Sequence, residues 1–415
     1  RRDCMRRGLG YALTLALVII TSVAGADWNQ WRGPSRDGKV VGFQLPSPLP
    51  QQLTRRWKVE VGTGHSSPLV VGSSVFVFAR QGDNEVVRCL NLATGKEVWK
   101  QSYPAPYEMN PAAQGHGKGP KSTPVYANGL LYTLGISGIL SCFDAETGKA
   151  IWRHEFSKSF KTTSPLYGAA MSPVVDSGLL IAHVGGHDDG ALMAFDARSG
   201  TVRWRWAGDG PGYASPIVVN IGGVRQVITQ TQKMCVGVEV ATGRLLWSLP
   251  FTTQYDMNII TPIAVGDVVI FGGYHQPTFA VRVRKSADRW AVEKLWQTSD
   301  ATFFMSTPVA SGNRLYGMSE KRGGQMCSIN LITGQVEWTG EARFGENAAV
   351  FDAGSVLLVL TTNAHLHVFQ KNGAALNEVA RYRVADSPTW ASPAFAGNRV
   401  LVKDATSLTL WEFAR

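Results

Sequence analysis

A chain of 415 residues could hold two or three average domains, so its length alone decides little. Charged residues make up 17% and hydrophobic ones 44%, with 44 Gly and 13 Trp, which excludes a disordered chain and suits a well-buried, turn-rich globular fold. The formal charge of +10 is spread without a long Lys/Arg run, so nucleic acid is not the expected partner.

Met5-Arg6-Arg7 supplies a basic segment, Leu9 to Ile20 a short apolar run, and Ala24-Gly25-Ala26 the small residues of a cleavage site. Residues 1 to 26 are therefore expected to be a secretory signal, cut near Ala26, with the run too short for a good membrane span. Residues 1 to 4 precede the sensible initiator, and Cys4 has no role in this reading. Without that segment 37 basic and 30 acidic side chains remain, a charge of +7 that keeps a large exported monomer solvated in the periplasm or outside the cell. Residues 27 to 52 form an extended lead-in containing Pro46, Pro48 and Pro50, and residues 53 to 415 form one domain. In the lead-in, Gly33 to Lys39 spells most of a phosphate loop. Val40 stands where Ser or Thr is needed and no strand or helix flanks it, so a turn is expected.

From residue 53 onward one unit recurs: a small residue, Pro, an apolar run, a turn, a second strand, Thr-Gly, then Trp. The openings are Ser67-Pro68, Thr123-Pro124, Ser172-Pro173, Ser215-Pro216, Thr261-Pro262, Thr307-Pro308 and Ser392-Pro393. The prolines lie 56, 49, 43, 46, 46 and 85 residues apart, so the last gap holds a unit without its marker, at Asn347 to Val350. Thr-Gly or Ser-Gly precedes Trp99, Trp152, Trp204, Trp247 and Trp338, while Trp296 follows a longer hairpin and Tyr382 replaces the indole in the seventh unit. Gly supplies the positive φ of the hairpin, and the large ring covers apolar area between neighbouring units. Second strands such as Val75 to Phe78 and Val356 to Leu360 are apolar throughout, the pattern of strands buried on both faces.

These features predict an all-β, eight-bladed β-propeller. The eighth unit begins at Ser392 and stops at Phe413 without its Trp-bearing outer strand, whereas Arg55 to Val59 carries that signature before the first Ser-Pro. The N-terminal strand is expected to complete the last blade and remove the open edge. On this basis Trp57→Ala should lower the melting temperature far more than Trp28→Ala, whose residue lies in the lead-in. Cys89, Cys142, Cys235 and Cys327 are far apart in strand-like surroundings, and buried free thiols are expected.

The units "GILSCFDAETGKAIWR" and "GALMAFDARSGTVRW" resemble the PQQ-like repeats of the quinoprotein alcohol dehydrogenase-like superfamily, with coverage from Trp57 to Phe413. The opening "DWNQWRGPSRDG", Asp27 to Gly38, is similar to the start of many exported members. The resemblance implies the propeller fold but not one activity. The superfamily includes cofactor-using dehydrogenases and cofactor-free scaffolds such as the propeller subunit of the outer-membrane barrel-assembly machinery. The adjacent cysteines of the PQQ alcohol dehydrogenases are missing, and no Cys follows the apolar signal run as in a lipobox.

In such relatives PQQ sits at the end of the channel where inner strands begin. The residues expected there are His65, Lys121, Tyr213, Asn258, Phe304, Glu346, Asn347 and Trp390, a mixture of aromatic, cationic and oxygen-bearing groups suited to PQQ with Ca²⁺. The longest insertion, Tyr103 to Lys121, gathers His116, Lys118 and Lys121 among glycines and is a candidate anion site. His183, His187, Asp188 and Asp189 carry metal-ligand chemistry, but "HVGGHDDG" has the spacing of a hairpin turn, so no metal site is expected. No catalytic residue is assigned. The leading expectation is a non-catalytic platform for a protein partner or polysaccharide. A PQQ-dependent oxidoreductase of alcohols or sugars, and carbohydrate or anion binding in the funnel, are the alternatives.

Overall fold

A computed structural model describes residues 27–414. The expected signal segment, its cleavage position and Cys4 lie outside them. Eight four-stranded antiparallel sheets form a ring, each running from an inner strand at the channel to an outer strand at the rim. Seven are continuous in sequence, from the first blade (Leu69–Val71 to Glu97–Pro104) to the seventh (Ala348–Ala353 to Ala375–Arg383). The eighth combines Ala394–Ala396, Arg399–Lys403 and Ser407–Glu412 with Thr54–Glu60 from the other end of the chain. Trp57 pairs with Leu410 and Glu60 with Ser407 in that closing ladder, as the unit count predicts. Among the described residues no helix is long and apolar enough to cross a membrane.

The core lies between blades, where apolar strands face one another. Phe76, Phe78 and Cys89 of the first blade meet Leu131 and Phe143 of the second in one such layer. The four cysteines of residues 89 to 327 are buried and free. Trp57, Trp99, Trp152, Trp204 and Trp296 are each fastened to the Gly turn of the next blade. The indole N–H of Trp57 donates to Leu92 O at 2.8 Å, that of Trp99 to Ala145 O at 3.0 Å, and that of Trp204 to Val240 O at 2.8 Å. A Cβ on Gly95 would fall 2.8 Å from the Trp57 ring, so the hairpin Gly answers two demands at once, a φ of 70° and room for the indole. Trp247 faces the fifth blade, which lacks the Thr-Gly turn, and its N–H goes instead to Gln226 Oε1 in its own blade, at 2.7 Å.

The lead-in is not an appendage. Residues 28 to 40 enter the channel and bond to its walls. Trp28 exchanges backbone hydrogen bonds with Val70, Asn29 O accepts from Tyr126 N, and Val40 N donates to Asp352 O. Trp28 is 3% exposed and meets Phe351 and Phe395 edge-on at 5.6 and 5.1 Å. The expected mildness of Trp28→Ala therefore loses its basis: this indole is buried more completely than Trp57, at 9%.

Candidate functional site

The Ser/Thr-Pro openings do more than mark the blades. Because Pro has no N–H, the first bond of each inner strand must come from elsewhere. Ser67 N donates to Thr123 Oγ1, Thr123 N to Ser172 Oγ, Ser172 N to Ser215 Oγ, and Thr261 N to Thr307 Oγ1, at 2.9 to 3.2 Å. The hydroxyls thus link blade to blade around the channel. Where the marker is lost, Ser306 Oγ donates to Ala348 O at 2.6 Å.

Carbonyls of the same openings face the channel and are met by the lead-in. Arg32 Nη1 donates to Thr307 O at 3.0 Å and Nη2 to Pro308 O at 2.9 Å, while Arg36 reaches Pro173 O and Ser172 O at 3.0 and 2.9 Å. Trp31 Nε1 donates to Thr261 Oγ1 at 2.7 Å. Burial lowers Arg32 to about 10, with Asp37 opposing it, and Arg36 to about 9. Gly38 is required because any Cβ there would run into the Arg32 guanidinium, at a φ of 76°.

Above this plug lies a cavity of about 550 Å³, with Trp31 and Arg32 at its inner end. The insertion after the first blade supplies a short 3-10 helix, Pro111–His116, capped by Asn110 Oδ1, which brings Ala113 and His116 to the wall. His65 Nε2 lies 2.9 Å from His116 O, and the His116 ring meets Trp390 edge-on at 4.9 Å. Lys121 Nζ donates to Tyr167 O at 2.8 Å, and the Tyr167 and Tyr213 rings are 5.9 Å apart. Burial pulls His65 down to about 3, with Lys121 and Lys403 adding to it, and lowers His116. Burial also lowers Lys121 to about 8.

Of the residues expected at this end, His65, Lys121, Tyr213, Phe304, Asn347 and Trp390 line the cavity, joined by His116. Three do not. Asn258 is fully buried below the wall, its amide donating to Thr231 O, Gln232 O and Phe251 O. Glu346 and Lys118 are exposed and outside the lining. Position relative to Pro fixed the end of the strand, not the direction of each side chain. Trp31 and Arg32 were missed. Their signal was the pair of Trp and Arg residues among glycines in a segment otherwise assigned to a turn.

The residues present do not fit calcium. Among the described residues no Asp or Glu lines the cavity and no three His, Cys, Asp or Glu side chains converge, whereas Ca²⁺ takes several oxygen ligands, commonly carboxylates. The "HVGGHDDG" segment is the expected hairpin, with its turn at His187 and Asp188 between strands Leu179–Gly186 and Asp189–Asp196. Its charges are already engaged, Asp188 with Lys233 and His187 with Asp256 at 3.6 Å.

Closed rings of four-stranded blades, Trp-docked Gly turns and a plugged funnel define a PQQ-like β-propeller. The chain belongs to the PQQ-like family described as outer membrane protein assembly factor BamB, whose family model matches residues 83–340. The outer membrane protein assembly factor BamB of Yersinia pestis is 22% identical over 395 residues, 89% of this chain and 92% of that protein. The dehydrogenase subunit of a quinone alcohol dehydrogenase from Gluconacetobacter polyoxogenes is 28% identical over 190 residues, 41% of this chain but 24% of that protein. The crystal structure of BamB from Moraxella catarrhalis superimposes with a TM-score of 0.60 at 15% identity, over 87% of this chain and 99% of that one.

Proposed function

We propose that the protein is an exported, non-catalytic propeller that serves as a protein-binding platform in outer-membrane assembly. The observation that carries this reading is the nearly end-to-end similarity to BamB, against which the dehydrogenase similarity spans a quarter of the larger enzyme. The signal-like residues 5 to 26 support export, and a rigid closed ring supports a binding surface better than a moving catalyst. The test mixes the purified protein with purified barrel-assembly subunits of the same source. A stable complex in size-exclusion chromatography is expected, and no association with any subunit overturns the reading. In a parallel arm the protein receives PQQ and Ca²⁺ and is assayed for dye-linked alcohol or sugar oxidation. Turnover abolished by Lys121→Met would establish the oxidoreductase alternative instead.

A further inference from the structure

We propose that the face of the propeller opposite the funnel docks on a membrane surface carrying anionic phospholipid headgroups. This goes beyond the platform reading, which calls for a protein partner and assigns no role to that face.

The topology sets the two faces. Every inner strand starts at the funnel, so the turns joining first to second and third to fourth strands emerge at the other end. Those turns carry cations on consecutive blades: Lys96, Lys149, Arg198 and Arg244 on the first four, then Lys285 and Arg289 flanking the turn of the fifth, all exposed. The carboxylates on the same turns are Glu146, Asp267 and Asp288, and Asp267 is held by Arg282 at 3.5 Å. Arg244 has Glu239 at 3.4 Å yet its side chain stays 65% exposed. The funnel face has the opposite balance, with carboxylates such as Asp83, Glu108, Asp188, Asp256, Glu341 and Glu346 outnumbering the cations of its turns and connections. The ring is therefore polarised along its axis, and an anionic surface draws it in with the turn face forward.

Apolar side chains gather on the same face. Val98, Ile151, Val202 and Leu245 stand at the start of the outer strands beside those cations, and Val265 and Ile332 at turns of the fifth and sixth blades, with exposures of 39 to 72%. Among the described residues the exposed large apolar side chains of the funnel face are Leu166 and Tyr255. A cation on a flexible stem beside an aliphatic group suits a lipid interface, where the charge meets phosphate and the aliphatic group enters the headgroup layer. The turns are short, so these groups lie near one plane and are spread over six blades, which fits a flat, extended partner. An acidic protein matches the charge but not the scattered aliphatic groups, which form no single groove. Asp27 is fixed on this side, its Oδ1 accepting from Gly72 N at 2.9 Å, so the chain joins the propeller from the cationic face.

The full exported chain is floated with vesicles of phosphatidylcholine alone and of phosphatidylcholine mixed with phosphatidylglycerol, at about 0.1 M and about 0.5 M NaCl. At the lower salt the anionic vesicles should bind at least tenfold more tightly than the neutral ones, and the difference should shrink at the higher salt, where the field is screened. A variant combining Lys96→Glu, Lys149→Glu, Arg198→Glu and Arg244→Glu should bind the anionic vesicles at least tenfold more weakly, because each basic group near such a surface adds to the attraction. Val98→Ser with Ile151→Ser should weaken binding at both salt concentrations, which separates apolar insertion from a purely ionic contact. Lys158→Glu with Lys161→Glu, exposed on the funnel face, should leave binding unchanged. All the altered side chains are exposed, so the fold is retained, which circular dichroism checks. The proposal is overturned if the two vesicle types bind equally or not at all, if the quadruple or the apolar variant binds like the parent, or if the funnel-face variant loses as much as the quadruple one. It is overturned in favour of an acidic protein if soluble poly-L-glutamate binds while anionic vesicles do not. Assembly subunits are absent throughout, so neither result depends on complex formation with them.

Discussion

Trp28 and Trp57 show how differently two indoles can be written in one chain. Trp57 belongs to a periodic series and donates to Leu92 O, so its role is visible from the repeat. Trp28 belongs to no series, yet Phe351 and Phe395 enclose it. Truncating a buried Trp commonly costs about 3 to 5 kcal/mol. Both Trp28→Ala and Trp57→Ala should fall in that range in equilibrium denaturation, and a Trp28→Ala variant as stable as the parent would contradict the plug. A second residue-scale prediction concerns acid. His183 is 4% exposed beside Asp209 O, and burial holds its folded pKa at about 4, below the unfolded 6.5. Between those values the unfolded chain binds more protons, so stability is full above about pH 6.5 and declines as pH falls towards 4. The contribution is up to ~1.4 kcal/mol per pH unit. His183→Gln should make the unfolding free energy less steep in that window.

At the scale of elements, the Gly turn and the Trp of the preceding blade act as one fastening. Gly148 and Gly72 both have positive φ, 74° and 55°, but a Cβ at Gly148 meets the Trp99 ring while one at Gly72 meets nothing within 4 Å. Backbone strain is shared by the two, so the difference isolates displacement of the indole. Gly148→Ala should be less stable than Gly72→Ala by about 1 to 3 kcal/mol in chemical denaturation. The turn and the ring were each legible, because within every such unit the Gly stands four residues before the Trp and the pair recurs. That a ring docks on the turn of the next blade was not, since Gly148 lies 49 residues after Trp99. The hydroxyl links between Ser67, Thr123, Ser172 and Ser215 were not, since each joins a donor and acceptor 43 to 56 residues apart. The Ser/Thr-Pro pairs were visible as punctuation. Their bonding depends on how neighbouring blades stand around the channel.

For the whole molecule, two N-terminal segments close two different openings. Thr54–Glu60 closes the ring, and residues 28 to 40 close the channel. Deleting residues 27 to 52 should leave a propeller that still unfolds cooperatively, at a lower melting temperature, and does not associate more than the parent. Deleting residues 27 to 60 should in addition bare the Ser407–Glu412 edge and drive association, seen by light scattering. Equal behaviour of the two truncations would mean that the strand and the plug are not separate devices. The blade number, the closing strand and the rim tryptophans were determined by the sequence, because each rests on alternation, turn residues and spacing within a few dozen positions. Seven candidate cavity residues were found the same way, from their place before an inner strand or in the long insertion. Only the tertiary structure decided that Arg32 meets Thr307, 275 residues away, that Asn258 faces inward, and that Lys121 stands in the funnel without a carboxylate. Those outcomes follow from the ring itself, which brings eight distant openings onto one axis and leaves local pattern no way to anticipate which side chains share it.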